Sequence, residues 1–368
     1  MSRNTDAAAV AALPPRTVLV VVTRRIGDVL LATPLIRSLR AAWPAAAIDA
    51  LVFQGTEGAL AGNADLRRVW TVPQRPRLMP HLSLVSSLAR RYDLALSLVP
   101  GDRPTLYAFI AGRKRMGLLL ERPQDAWKRR LLHAWVPFDD LNTHTVRMHL
   151  ALARALGIAA KSAVSIAWAS QDEQAVDALL AGNTQPLAVL HAHPRYRYKM
   201  WPQDHWIALA HALARHGYRI ALTGSGEPDE RAYLDALMQE FPAGSVNAAG
   251  RLTLGGSACL VARAQRYVGV DTAMTHIAAA LGVPTVALFG PSNPVKWGPW
   301  PRDHTPGTNP WRRCGTQYAG NVVLLQGVGV CVPCLLEGCD RHVGSASDCL
   351  EQLPVARVLR ALDRFETA

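Results

Sequence analysis

This sequence has few charged residues, a deficit of carboxylates and no long apolar run. Only 18% of its 368 residues are charged, and 28 Asp and Glu stand against 40 Lys and Arg. Hydrophobic residues make up 49% of the chain, which excludes a disordered protein and indicates a folded globular one. The net charge of +12 favours an anionic partner, such as nucleic acid, an anionic membrane surface or a phosphorylated ligand.

Three further features are missing. The chain has no alternation of basic and aromatic side chains of the kind that single-strand binders use, so we expect no nucleic-acid partner. No stretch is long and apolar enough to span a bilayer. Residues 1–16 lack the apolar core of a signal peptide and predict a disordered tail. We therefore expect a cytoplasmic protein, whose six cysteines are reduced or metal-bound.

The most informative segment is YVGVDTAMTHIAAALGVPTVALFG, residues 267–290. Two apolar runs of strand length flank a helix-forming run, which Gly282 can end and Pro284 cannot continue. A short crossover of this kind pairs its strands in parallel. The free N–H groups at the helix start then face the carboxyl edge of the sheet, where phosphate is bound well. The alternative is that Asp271 or Thr272 only caps the helix.

Strand and helix signals alternate along the rest of the chain, which predicts doubly wound α/β domains. A polar, Ala-rich stretch at about 159–186 indicates the domain junction. We expect a disordered tail at 1–16, an N-terminal Rossmann-like domain at 17–165 and a C-terminal Rossmann-like domain at 175–345. The last segment, 346–368, is predicted to be a helix that packs back toward the N-terminal domain.

Four segments resemble glycosyltransferase family 9, the bacterial heptosyltransferases. They are RRIGDVLLATPLIRSLR at 24–40, KMWPQDHW at 199–206, GSGEPDE at 224–230 and VDTAMTHIAAALGVPTVALFG at 270–290. The segment HTVRMHLALARALG at 144–157 is also similar. The resemblance implies a GT-B fold, with two Rossmann-like domains whose parallel sheets face a central cleft. It implies that the N-terminal domain at 17–165 is acceptor-binding and that the C-terminal domain at 175–345 is nucleotide-sugar-binding. It also implies inverting, metal-independent transfer from a nucleotide-activated heptose, typically ADP-heptose.

By resemblance, Asp28 matches the carboxylate that acts as the catalytic base. Transfer needs such a base to take the proton of the acceptor hydroxyl. The alternative for Asp28 is an N-cap of the helix that starts there. Lys199 matches a lysine at the donor phosphates, and its alternative is a solvated surface lysine. Glu227 matches an acidic residue near the nucleotide ribose, although Gly-Glu-Pro is also an ordinary turn.

The remaining donor-binding residues come from the 270–290 motif. Asp271 matches a residue that contacts the donor sugar, and the turn around Thr272 matches the diphosphate site. His276 lies in the same motif. Ala273 stands where the family usually has Gly. Without a catalytic metal, the helix N-terminus and a lysine must hold the charge that develops on the leaving diphosphate.

Two clusters outside these motifs carry further expectations. Arg113, Lys114 and Arg115, with the second basic run at 128–130, are predicted to bind the phosphorylated lipopolysaccharide core or to dock on the inner membrane; the alternative is a solvated face. Four cysteines in a C-x2-C-x4-C-x9-C pattern suggest a structural zinc or iron site, with a packed loop without metal as the alternative. They are Cys331, Cys334, Cys339 and Cys349.

The function implied is therefore transfer of heptose from ADP-heptose to the inner core of lipopolysaccharide, with the cysteines favouring a later, third-heptosyltransferase type. Two alternatives stay open: a heptosyltransferase acting on a protein such as an autotransporter, and a nonenzymatic nucleotide-sugar-binding module. No cofactor is expected to be required for catalysis. We expect peripheral contact with the inner membrane.

Overall fold

The computed structural model describes residues 10, 13–75 and 78–366. The predicted disordered tail at 1–16 lies outside them, apart from residues 10 and 13–16. The chain divides into two compact units. The first comprises the chain up to Ser165 with Thr305–Asn309, and the second comprises Ile166–His304 with the chain from Pro310 onward.

The first unit is built on a parallel sheet. Its described strands are β1 Thr17–Val22, β2 Ala47–Phe53, β3 Arg68–Val72, β4 Tyr92–Ser97, β5 Gly112–Leu119 and β6 Ala134–Pro137. Its described helices are α1 Ile26–Leu30, α2 Thr33–Ala42, α3 Leu78–Leu88, α4 Asp102–Ala111, α5 Ala126–Leu131 and α6 Thr145–Ala155, with short 3-10 turns at Glu57–Leu60 and Pro123–Asp125. The strand order is β3-β2-β1-β4-β5-β6, the doubly wound Rossmann order.

The second unit repeats this order. Its described strands are β7 Leu187–His191, β8 Arg219–Leu222, β9 Val246–Asn247, β10 Arg266–Val270, β11 Thr285–Phe289, β12 Gln317–Ala319 and β13 Val322–Gln326. The helices are α7 Ser170–Leu180, α8 Gln203–Arg215, α9 Pro228–Gln239, α10 Leu254–Ala262, α11 Ala273–Leu281, α12 Pro294–Trp297, α13 Asp348–Glu351 and α14 Val355–Asp363, with a 3-10 turn at Arg197–Lys199. The sheet runs β12-β13-β11-β10-β7-β8-β9, with only β12 antiparallel among the described strands.

The strand–helix–strand prediction at 267–290 is confirmed. β10 and β11 pair in parallel with Tyr267 opposite Thr285. Helix α11 ends at Gly282, which has φ +81°, the left-handed conformation that glycine adopts without strain. The apolar runs are buried because both faces of a parallel sheet are covered.

The boundary between the two units falls after Ser165, inside the stretch at 159–186 that the sequence indicated as the domain junction. This stretch also contains α7. The segment at 24–40 forms two helices, α1 and α2, which are separated at 31–32. The region after Gly290 contributes β13 to the sheet beside β11. Short apolar runs between Gly and Pro residues resemble loops when their strand partner is not known.

The last helix, α14, packs on the core of the second unit, and its predicted packing toward the N-terminal domain stays a prediction. Val358, Ala361 and Leu362 are buried in the same cluster as Trp206, and the helix contacts α8, β11 and β13. The spacing of these three residues, i, i+3 and i+4, makes one apolar stripe. The helix lies against the part of the sheet that β11 and β13 form.

No helix in the described ranges has the length and apolar character needed to cross a membrane.

The core of the first unit includes a buried polar network around Asp49, which is fully buried on β2. Its carboxylate accepts two bonds from Arg67, at 2.9 and 2.7 Å, one from Tyr92 at 2.6 Å and one from Trp70 at 3.3 Å. These donors compensate the cost of burying its charge.

We expect Asp49→Ala to lower the free energy of unfolding by about 3 kcal/mol, because three donors lose their shared acceptor. Asp177→Ala is the matched control, since Asp177 also pairs with an arginine but its side chain is 66% exposed. That change should cost less than about 1 kcal/mol. Denaturant unfolding of both variants checks the difference, and equal losses would contradict the buried-network account.

Candidate active site

The strand order of the second unit brings two predicted residues together. Lys199 lies in the segment that follows β7, and Asp271 directly follows β10. β7 and β10 are neighbours, and the chain winds outward from them in opposite directions. Ligands of open α/β sheets bind at this switch point, outside the carboxyl ends of the strands. Here the Nζ atom of Lys199 donates to Oδ2 of Asp271 at 2.5 Å.

The pair is electrostatically coupled and mostly shielded from solvent. The side chains of Lys199 and Asp271 are 19% and 8% exposed. Burial raises the pKa of Asp271, but the charge and hydrogen bond of Lys199 outweigh it, and the net pKa is lowered. A hydrogen bond from Ser292 and the charge of His276 lower it further. Asp271 is therefore ionised at neutral pH, and Lys199 is not a solvated surface lysine.

Helix α11 begins beside this pair. Thr272 occupies the N-cap position with an extended backbone, but its side chain makes no capping hydrogen bond. The alternative that the Thr272 side chain only caps the helix is therefore not supported. The first-turn N–H groups are then available to an anion at the positive end of the helix dipole. Ala273, the first helical residue, is half-buried, and His276 is buried one turn further on. The geometry suits a phosphate group next to the Lys199–Asp271 pair.

The predicted ribose carboxylate, Glu227, is exposed and serves as the N-cap of α9 without a side-chain capping bond. Glu230, one turn into the helix, is half-buried instead, and its carboxylate accepts a hydrogen bond from the Ser225 hydroxyl. Its charge also raises the pKa of both His191 and His193, partly offsetting their burial. Glu230 is therefore the carboxylate of this turn whose charge acts on both His191 and His193. Helical spacing from Pro228 could have signalled this, since only one face of α9 is directed inward.

Two histidines and a tyrosine complete a further polar cluster at this edge. His191 ends β7, and its Nδ1 lies 3.1 Å from the carbonyl oxygen and 3.0 Å from the hydroxyl of Thr223. Since the carbonyl can only accept, Nδ1 carries the proton. Burial lowers the pKa of His191, so it is neutral. The rings of His193 and Tyr233 lie 5.1 Å apart, centroid to centroid. The sequence motifs did not identify these residues.

In the first unit, Asp28 lies in the first turn of α1, after β1. The N-cap is Arg25, so Asp28 is not the cap that the alternative interpretation required. Its side chain is 15% exposed, and Oδ1 lies 3.6 Å from Nε of Arg24, which is itself half exposed. β1 and β4 flank the switch point of this sheet, so Asp28 lies at the ligand-binding edge.

Helix α1 has five residues, too few to be stable alone, and its end is held by two side chains. The Thr33 hydroxyl donates to the Leu30 carbonyl at 2.7 Å, and His149 Nδ1 lies 3.1 Å from the Leu31 carbonyl. Burial lowers the pKa of His149, while that hydrogen bond and the charge of Asp28 raise it less, so the ring is neutral. These contacts fix the segment that carries Asp28.

The basic triplet predicted to bind the acceptor lies at the other edge of the sheet. Arg113, Lys114 and Arg115 are at the beginning of β5, and Lys114 is level with Leu94, near the beginning of β4. In a parallel sheet the beginnings of the strands face away from the carboxyl edge. The structure therefore does not bring the triplet to Asp28. The sequence alone does not show where β5 begins or in which direction it runs, so the edge of the sheet at which the triplet lies could not be predicted.

The cysteine-rich segment lies against the loops that follow β7 and β11. The Ser347 hydroxyl donates to the carbonyl oxygen of Tyr198 at 2.7 Å. The backbone N–H of Leu335 donates to the carbonyl oxygen of Pro291 at 2.9 Å. Cys349 is buried, and burial together with the nearby Cys334, Cys331 and Cys339 raises its pKa to about 12. Across the part of the chain that the structure describes, no three His, Cys, Asp or Glu side chains are arranged to hold a metal ion. Outside this segment, Cys259 is buried and Cys314 is exposed.

Comparison with solved structures places this architecture. The glycosyl transferase family 9 protein of Veillonella parvula DSM 2008 superimposes with a TM-score of 0.76 at 20% identity, covering 95% of this chain and 97% of that one. The E. coli heptosyltransferase WaaC with ADP gives 0.69 at 21% identity, covering 95% and 99%. The chain thus has the fold of these proteins, which confirms the predicted GT-B fold class.

Sequence comparison identifies the family. Residues 82–314, more than half of the chain, match glycosyltransferase family 9 (heptosyltransferase). Lipopolysaccharide heptosyltransferase 3 of Escherichia coli is 28% identical over 285 residues, which are 74% of this chain and 83% of that protein. The chain belongs to glycosyltransferase family 9, and the resemblance found in its motifs is confirmed.

Replacing Lys199 with Met should raise the pKa of Asp271, because burial then acts with only Ser292 and His276 opposing it. In the wild type, the lowered pKa contributes stability that is present above the unfolded value of about 3.9 and lost as pH falls through the folded value. If the pKa of Asp271 in the folded variant lies above the unfolded value, the variant instead loses stability as pH rises.

The deficit in melting temperature of Lys199→Met should therefore be small near pH 4 and grow toward pH 7. Melting curves across that range and carboxyl NMR of Asp271 test this. Arg195→Met, an exposed cation in the same loop, is the control. A deficit that does not vary with pH would mean that the pair does not set the ionisation of Asp271.

Proposed function

We propose that this chain is an inverting glycosyltransferase that moves heptose from ADP-heptose to the inner core of lipopolysaccharide. The observation that carries the proposal is the Lys199–Asp271 pair at the start of α11, in a chain of the heptosyltransferase family. It places a cation, an ionised carboxylate and free helix N–H groups at one switch point. This combination suits a sugar joined to a diphosphate.

The donor side must stabilise the leaving group. As the bond between the anomeric carbon and the phosphate oxygen breaks, its electron pair passes to the diphosphate, and ADP departs with the additional negative charge. We assign Lys199 and the N–H groups at Thr272 and Ala273 to that charge, since pre-oriented donors in a water-poor site stabilise it without reorganisation. Asp271 is assigned to the hydroxyl groups of the heptose, with His276 behind it.

The acceptor side must provide a base. In the proposed step, the acceptor hydroxyl oxygen attacks the anomeric carbon from the face opposite the diphosphate, and its proton passes to the carboxylate of Asp28. Because one bond forms as the other breaks on the opposite face, the configuration inverts. His149, which is neutral and bonded to the helix end, is assigned to hold α1 in place. No cofactor takes part in this chemistry.

The nucleotide is assigned to the cluster after β7 and β8. A ribose hydroxyl needs an acceptor such as a carboxylate, and Glu230 is better placed than Glu227 because it is half-buried beside His191 and His193. The flat rings of His193 and Tyr233 offer a surface against which an adenine can stack. Glu227, at the exposed end of the helix, keeps a secondary role at the rim.

The acceptor proposed is a phosphorylated lipopolysaccharide core, with the reaction in the cytoplasm and in peripheral contact with the inner membrane. The cationic character of the chain, +12 in net charge, supports an anionic acceptor. Since Arg113–Arg115 lie at the far edge of the sheet, we assign acceptor contacts to cations that follow strands at the Asp28 edge. Arg24 and Arg25 after β1 are the nearest in sequence.

Asp28→Asn should lower turnover by about 10²–10⁴, the range for losing a general base. The affinity for ADP should stay within about twofold, because the proposed base does not contact the nucleotide. Mass spectrometry of heptose transfer to a defined core oligosaccharide measures the first, and calorimetry with ADP the second. Glu121→Gln, an exposed carboxylate of the same unit, should behave as the wild type. Turnover of Asp28→Asn equal to that control would remove Asp28 from the mechanism.

A structural metal at the cysteine cluster stays a hypothesis that the sequence supports more than the structure does. Two of its thiols, Cys331 and Cys339, are exposed while Cys349 is buried, which is not the closed tetrahedral arrangement of a structural site. Gently purified protein should contain about one equivalent of zinc or iron if the four thiolates close around an ion. Elemental analysis decides the question, and a metal content near zero would favour the packed loop.

A further inference from the structure

Three helices of the first unit form one layer on one face of its sheet. Helix α3 contacts α4, and α4 contacts α5. They connect β3, β4, β5 and β6 in succession, and right-handed crossovers in that direction keep all three helices on the same side. Their inner sides pack over the core that contains Leu88, Tyr107 and Ala111. Their outer sides form the surface that we call the α3–α5 face.

The α3–α5 face has large apolar side chains that nothing in its own unit covers. Leu82 on α3 is 51% exposed, Leu106 on α4 is 40% exposed, and Trp127 on α5 is 39% exposed. Single exposed apolar residues are ordinary. Here, however, each of three adjacent helices presents one, so the three share a face.

The same face is nearly without carboxylates. Helix α3 has no charged residue in its sequence, and α5 contributes Lys128, Arg129 and Arg130. Helix α4 contributes one acidic residue, Asp102, which Lys128 neutralises at 2.7 Å. Lys128 itself is buried between Asp102 and Asp125, so it is not part of the exposed basic run predicted at 128–130. The exposed charged side chains of the three helices are those of Arg130 and of Asp102, whose carboxylate is 67% exposed but paired with Lys128.

A cation cluster borders the face at the beginning of the strands. Its members follow α3 or open β5: Arg90, Arg91, Arg113, Lys114 and Arg115. Burial and the charge of Arg90 lower the pKa of Arg115, and burial with Arg115, Lys114 and Arg90 lowers that of His133. Asp93 forms an ion pair with Arg113 at 3.9 Å. The five cations outnumber this carboxylate, so the cluster favours an external anion.

We propose that the α3–α5 face and its cation cluster dock this protein on an anionic phospholipid bilayer. The proposal rests on the proposed function, since an acceptor attached to lipid is presented at such a surface. A bilayer offers both partners that the face requires, phosphate groups for the arginines and an apolar layer for Leu82, Leu106 and Trp127. A nucleic acid or an acidic protein would satisfy the arginines only. Tryptophan at the boundary of such a patch suits the interfacial region.

Vesicle flotation tests the proposal with purified full-length protein. The probes are vesicles of phosphatidylethanolamine and phosphatidylglycerol, and vesicles of phosphatidylcholine alone. The apolar variant is Leu82→Ser with Leu106→Ser and Trp127→Ser, and the charge variant is Arg90→Gln with Arg91→Gln and Arg130→Gln. The control is Val330→Ser with Leu336→Ser and Val343→Ser, three exposed apolar residues of the second unit.

The wild type and the control should bind the anionic vesicles, and both face variants should bind at least about fivefold less, because each loses one of two cooperating contributions. Binding to phosphatidylcholine should be weak. Salt at 1 M should weaken wild-type binding, since the Debye length falls to about 3 Å. Wild-type protein that does not float with anionic vesicles, or face variants that float as well as the control, would overturn the proposal.

Transfer to a water-soluble, deacylated core oligosaccharide separates docking from chemistry. Both face variants should transfer heptose to it at the wild-type rate, and circular dichroism should show them folded; Trp127→Ser alone replaces the triple variant if that one does not fold. Loss of this soluble activity in a folded variant would overturn docking as the role of the face. Vesicle binding by a wild type that transfers no heptose would instead overturn the proposed function and leave docking standing.

Discussion

The candidate site of the second unit depends on one buried carboxylate that stays ionised. Asp271 follows β10 at the switch point of the sheet, where burial alone would favour its neutral form. Lys199, on the segment after the neighbouring β7, provides the compensating charge at 2.5 Å. A buried pair of this kind contributes little net stability. Its value is positional, because it fixes a cation and an anion beside the N-terminus of α11.

The strand order explains why residues far apart in sequence meet there. Lys199 and Asp271 are separated by more than seventy residues, yet they follow adjacent parallel strands. Ser292, which follows β11, reaches the same carboxylate. A doubly wound sheet brings the carboxyl ends of its strands to one edge. Each loop can therefore contribute one polar group without being long or ordered by itself.

Sequence analysis predicted the parts of this arrangement that local chemistry determines. The segment 267–290 was predictable because Gly282, Pro284 and two apolar runs each allow few conformations. The positions of Asp28, Lys199 and Asp271 beside strand ends were predictable because these residues stand in long motifs that follow apolar runs of strand length; their roles stay predictions. The exposure of Glu227 and the partial burial of Glu230 depend on which face of α9 is directed inward, which becomes known only when that helix is packed.

The remaining differences have the same kind of origin. Arg113–Arg115 form an obvious basic run, but their edge depends on where β5 begins and on its direction. The last helix has a clear apolar stripe, but a stripe does not specify which of two similar sheets covers it. Both units have the same strand order, so the alternatives are nearly equivalent in sequence. Only the packed structure distinguishes them.

The shortness of helix α1 has a consequence for how the first unit responds to heat and mutation. A five-residue helix has no cooperative stability of its own, so the orientation of Asp28 is inherited from α2 and α6 through Thr33 and His149. The proposed base is therefore held in position by buried residues of the first unit. Local fraying is therefore not an independent route to inactivation, and damage to distant core residues reaches the carboxylate directly. In such a design, catalytic precision and global stability cannot be selected separately.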